Sequence, residues 1–162
     1  MTQAPTTAAI TPTYHPSTPT PLSNADVEAA IAAYVAYVEL AQKVDSGLAS
    51  IDDLLALSTG IQHSFDRDRY ESLQARGLRF EGAPIIALAT LSLSTPSRST
   101  MIAIDACIDS HDVRMFDRSG NEVAFETPPG VLSVLVTMEL DPTSGAWLVS
   151  HSTPRSEGPT CE

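Results

Sequence analysis

The side chains of this chain best suited to chemistry are two cysteines, four histidines and a scatter of aspartates. Cys107 lies inside an alternating apolar segment, and Cys161 closes a Ser/Pro/Gly-rich stretch. Two cysteines can form at most one disulfide. They make no CxxC pair and stand near no evident set of histidine ligands, so neither a metal nor a cofactor site is expected of them. A strand-to-tail disulfide is the expectation, and closing a loop of about fifty residues would contribute about 4 kcal/mol by loop entropy. The competing reading is a buried Cys107 behaving as a small hydrophobe, with Cys161 a free thiol.

Two further clusters invite an acid–base or metal reading. His63, Asp66 and Asp68 put an imidazole and two carboxylates in one short stretch. At the start of a helix, however, Asp66 and Asp68 would serve its positive end, which makes the cluster a poor dyad. Asp105, Asp109, His111 and Asp112 supply oxygen ligands, but without the spacing or the turn glycine of a calcium loop. Asp105 would reach an interior pocket only if its strand face pointed inward, whereas the isoleucines beside it suggest the opposite. His151, alternating with Trp147 and Val149 near the end of the chain, is the other pocket candidate. No serine sits in a G-x-S-x-G elbow and no glycine loop cradles phosphate.

The elements that must position these groups can be read from capping and periodicity. Ser23 or Asn24 caps a first helix, with Asp26 and Glu28 in its first turn; Val27, Ile31, Tyr34, Val35 and Val38 follow at helical spacing up to Ser46-Gly47. A second helix is expected over Ile51–Leu57 after Ser50, and a third over Ser64–Arg76, ended by Gly77. Beyond it the pattern turns to strands: Leu78–Phe80 resuming as Ile85–Leu93 after a kink at Gly82-Ala83-Pro84, then Thr100–Asp109, Val113–Phe116, Glu122–Phe125, Val131–Leu140 and Ala146–Thr153. Asp117–Asn121 and Asp141–Gly145 read as hairpin turns. The expected fold is α+β, three N-terminal helices packed on one curved antiparallel sheet of about five strands.

Composition bounds the rest. At 162 residues the chain suits one domain, here residues 22–154, preceded by a Thr/Pro-rich arm over 1–21 expected to be disordered and followed by a tail over 155–162. Twenty acids against nine bases give a charge of −11, which repels a phosphate backbone or an anionic membrane surface. Nucleic acid is therefore excluded as a partner. No apolar run approaches the roughly 20 residues of a membrane span. The arm has neither the basic start nor the apolar stretch of a secretory signal.

The order α-α-α-β-β-β-β-β resembles the nuclear transport factor 2-like superfamily, and within it the small actinobacterial extracytoplasmic proteins of that fold. The residues that carry the resemblance are Ala33–Ala36 with Tyr37, Gly77–Gly82, Asp105–Ser110 and Gly145–Ser150. It implies a cone whose interior, in SnoaL-like polyketide cyclases and small isomerases, holds Asp/His acid–base groups. Two functions follow as expectations. The first is a non-catalytic accessory domain that binds another protein, in the cell envelope or in a phage or mobile-element assembly, a homo-oligomer being compatible. The alternative is a small-molecule binder or enzyme using the cone interior, with Asp105 or His151 as its polar group. A cone filled by Tyr34, Phe80, Trp147 and isoleucines would remove the alternative. A formed disulfide would favour an extracytoplasmic or particle-associated location.

Overall fold

The computed structural model describes residues 21–155 and Cys161. The arm over residues 1–20 and most of the C-terminal tail lie outside the described residues.

Among the described residues three helices come first: α1 (Asn24–Asp45), α2 (Ile51–Leu55) and α3 (Gly60–Arg76). Ser23 starts α1 with a capping box, its Oγ accepting from the Asp26 amide while the Asp26 carboxylate accepts from the Ser23 amide. The α3 helix begins at Gly60, four residues before the Ser64 start expected from sequence. Thr59 leads into it as an extended residue, tied down by its amide to the Val149 carbonyl at 2.9 Å. His63, Asp66 and Asp68 therefore lie within the helix rather than at its start.

Seven strands follow among the described residues: β1 (Arg79–Glu81), β2 (Ile85–Leu91), β3 (Met101–Asp109), β4 (Arg114–Phe116), β5 (Glu122–Val123), β6 (Val131–Leu140) and β7 (Trp147–Pro154). They form two antiparallel sheets, β1-β4-β5 and β2-β3-β6-β7, and not the single curved sheet of about five strands that the sequence suggests. The split occurs at Gly82-Ala83-Pro84. Gly82 adopts φ +83°, a left-handed conformation open to glycine, and its backbone lies so close to Asp112 that a Cβ would meet that residue's carbonyl carbon at 2.9 Å. Pro84 brings no backbone donor. The chain therefore cannot run on from β1 into β2; β1 takes β4 as its partner and β2 takes β3.

The four-stranded sheet carries the main core. Ile102, Ile104 and Ala106 of β3, Val134, Val136 and Met138 of β6, and Trp147 and Val149 of β7 face Ala30, Tyr34, Tyr37 and Val38 of α1 and Leu54 of α2. Tyr34, Leu54, Ile102, Ile104, Val136, Met138 and Val149 are almost wholly buried. Burying a side chain of this size fully stabilises the fold by about 1.5–3 kcal/mol. A smaller core joins the end of α3 to the second sheet through Leu73, Leu78 and Met115, with Phe80, Val123 and Phe125 against it.

Candidate functional site

Between the two cores the packing leaves a cavity of about 430 Å³. α1 forms one wall with Tyr34, Tyr37, Val38, Ala41, Gln42 and Asp45, whose spacing of three and four residues places them on one helix face. Phe80 and Phe125 form a second wall as a stacked pair with centroids 5.8 Å apart, and Ile108, Leu132 and Ser152 of the large sheet close the third.

The polar part of the site joins α1 to α3. Tyr37 donates its hydroxyl hydrogen to Asp66 Oδ1 at 2.7 Å, and Gln62 Nε2 donates to the same two oxygens at 2.8 Å each. Asp66 is only 3% exposed, and its Oδ2 has no hydrogen-bond partner among the described residues. Beside this triad, Arg69 Nη2 donates to both oxygens of Asp45 at 2.8 and 2.7 Å. Tyr37, Asp45 and Arg69 all reach the cavity wall. Burial raises the Tyr37 hydroxyl well above the ordinary tyrosine range, and the neighbouring Asp66 adds to the rise. Burial also raises the Asp45 carboxyl, with Arg69 pulling it back down and Asp66 pushing it up.

Tyr37 stays neutral near pH 7 and spends its hydrogen on Asp66, so it is no proton donor to a guest. Asp45 has both oxygens engaged by Arg69, which leaves it poorly free to act as a base. The arrangement is an apolar chamber with one polar wall, on which Arg69 and Asp45 are paired with each other.

Of the residues singled out from sequence, Asp66 belongs to this network, as a buried acceptor inside α3 and not as a charge at its start; the pocket candidates and the cysteines lie elsewhere. Asp105 is 9% exposed but faces away from Ile102 and Ile104, and it pairs with Arg155 on the outer side of the sheet. Cys107 occupies the same outer face and is bonded to Cys161, with Cα atoms 5.5 Å apart. His151 is exposed. The register slips between Thr137 and Met138, where Ser150 is an extra residue, so His151 pairs with Thr137 while Ser152 takes the inward position. The alternation that linked His151 to Val149 and Trp147 is broken by this bulge. Asp109 accepts from the His111 amide and ring at 3.0 and 2.7 Å; those bonds, the backbone one first, hold its carboxyl below the ordinary range in a turn on the surface. No group of three metal-ligating side chains occurs among the described residues.

No protein-family model matches the chain, and no curated protein matches it by sequence. Solved structures do. The intermembrane-space region of the chloroplast protein ARC6 aligns over 81% of this chain and 97% of its own, with a TM-score of 0.57 at 11% identity. A candidate polyketide cyclase from Xanthomonas campestris pv. campestris aligns over 78% of this chain and 92% of its own, with a TM-score of 0.36 at 11% identity. The likeness to the ARC6 region shows a shared fold and nothing of activity. It does not place the chain in the nuclear transport factor 2-like superfamily, which remains a resemblance of sequence.

Sequence reasoning passes over Gln62 and Arg69 of this polar network and assigns Asp66 to a helix start. The three recur at helical spacing on α3, and a polar stripe of that kind reads as a solvated face. The condition expected to remove the small-molecule reading is half met. Tyr34, Trp147, Ile102 and Ile104 do fill the core, while Phe80 and Ile108 line a chamber that the protein's own side chains leave unfilled.

Proposed function

We propose that this domain is a non-catalytic binding module that takes a small, largely apolar molecule into the cavity between its two cores. The observation that carries the reading is the cavity itself. At about 430 Å³ it falls in the size range of ligand pockets, roughly 300–1,000 Å³, and its apolar lining with a few convergent polar groups has their usual character. The resemblance of the element order to the nuclear transport factor 2-like superfamily supports it, since members of that superfamily use the cone interior. The Cys107–Cys161 disulfide supports placing the module in an oxidising compartment outside the cytoplasm or on a particle. Among the described residues, no helix is long and apolar enough to cross a membrane.

Titration with the neutral fluorescent probe N-phenyl-1-naphthylamine tests the reading. Saturable one-to-one binding to the full chain is expected, together with its loss in Ala41→Phe, which fills the chamber from the α1 wall. An unsaturable signal, or equal binding by a folded Ala41→Phe variant, would reject it.

A further inference from the structure

The cavity leaves one unusual surface unexplained. β2 is an edge strand of the four-stranded sheet, and among the described residues nothing pairs with its outer side. Edge strands are ordinarily guarded against foreign pairing by charges or prolines within them. β2 reads Ile-Ile-Ala-Leu-Ala-Thr-Leu, with no charge and no proline in seven residues. Ile85 and Leu88 of this strand are 58% and 39% exposed, and Leu93 just beyond it is 96% exposed.

The edge does not open onto flat solvent. Between β2 and α1 runs a groove of about 630 Å³, lined on the helix side by Ile31, Val35, Val38 and Glu39 and on the strand side by residues 83–89. Ile31, Val35 and Glu39 are four residues apart, so they form one stripe along α1 parallel to the groove. Ile86, Ala89 and Leu91 point from β2 toward the same helix, because they pair with the inward residues Ile108, Ala106 and Ile104. A strand added beside β2 would bond to its free backbone groups and set alternate side chains against Ile31 and Val35. The stripe ends in Glu39, an exposed carboxylate with no ion-pair partner among the described residues. The whole chain carries −11, which opposes a second copy and favours a basic partner.

We propose that the free edge of β2 and the Ile31–Val35–Glu39 stripe of α1 dock an extended segment of another protein, apolar at alternate positions and carrying a lysine or arginine opposite Glu39. The site adds a chain to the sheet and is separate from ligand binding in the cavity, although Val38 and Pro84 line both.

Selection of random twelve-residue peptides displayed on phage against the immobilised full chain tests this, followed by affinity measurement with the synthetic winners. The expected winners alternate apolar residues and include Lys or Arg. N-methylation of alternate peptide amides should abolish their binding on one strand edge only, since methylation removes the donors that pair with β2. Val35→Lys should weaken them at least about tenfold, and Glu39→Lys about two- to fivefold at low salt, the size of an exposed ion pair. Winners unaffected by N-methylation and by Val35→Lys, or no enrichment over bare support, would overturn the proposal. So would sedimentation showing a concentration-dependent dimer that Val35→Lys dissolves, because the edge would then belong to a second copy.

Discussion

Tyr37 and Asp66 are joined across α1 and α3 by a 2.7 Å hydrogen bond that is buried on all sides and shared with Gln62. The bond satisfies one carboxylate oxygen while the other has no partner among the described residues, so the triad has little slack. Tyr37→Phe leaves the shape of the core intact and withdraws a donor from a buried acid. The expected cost is about 1–3 kcal/mol, the penalty of an unmet buried polar group. Urea denaturation of the two proteins measures it, and a change within experimental error would show that Gln62 alone suffices.

The bond between Cys107 and Cys161 closes a loop with a sequence separation of 54. Chain-entropy reasoning assigns it about 4 kcal/mol, through restriction of the unfolded chain. Replacing both cysteines by alanine, or adding reductant, is expected to lower the denaturation midpoint accordingly, and intact mass should rise by about two daltons on reduction. Asp105 and Arg155 share the outer face with this bond, so loss of the clip should also make their ion pair weaker. A stability unchanged by reductant, with the two-dalton shift confirmed, would contradict the entropic account.

Gly82 sits where the two sheets part, and its carbonyl also accepts from Gln42 Nε2 on the cavity wall at 3.2 Å. Gly82→Ala must hold a left-handed backbone, at about 1–2 kcal/mol, and also displace the Asp112 backbone. A loss of at least about 2 kcal/mol is expected, along with weaker probe binding in the cavity. Gly145→Ala is the control, since its φ is also positive but a Cβ there meets nothing within 4 Å. It should show the conformational cost alone and bind probe normally.

Much of this fold can be read from local chemistry, and the boundary of that legibility is physical. Ser23 and Asp26 announce α1 because a capping box involves neighbours only three residues apart. Ile102 and Ile104 announce the face of β3 that packs on the helices because alternation is a property of the strand itself. The division into two sheets, by contrast, depends on which strand β1 finds in space, and pattern is silent on that. His151 was misdirected by the extra residue Ser150, which leaves no mark in the alternation of residue types. The inward placement of Asp66 and Arg69 is not legible locally, because the partners that make it tolerable, Tyr37 and Asp45, lie 29 and 24 residues away.

The carboxylates should make opposing contributions to stability as pH changes. Burial lifts Asp45 above its ordinary 3.8 despite Arg69, so the folded state holds that proton more tightly than the unfolded chain. A group raised in this way favours folding below about pH 4, and that contribution is lost as pH rises through the folded value. Asp117 behaves in the opposite sense. Hydrogen bonds from Asn121, then from Ser119 and Gly120, lower its carboxyl, so its contribution is present above 3.8 and lost as pH falls through the folded value. Asp45→Asn and Asp117→Asn separate the two. The stability difference between Asp45→Asn and the parent should shift in the variant's favour on going from pH 4 to pH 7.5, whatever its offset from the lost Arg69 contact. The penalty of Asp117→Asn should be largest at pH 7.5 and shrink toward pH 3. Urea midpoints for the three proteins at four pH values decide it, and an Asp45→Asn difference that moves in the same direction as that of Asp117→Asn would mean that the attraction of Arg69 outweighs burial at this site.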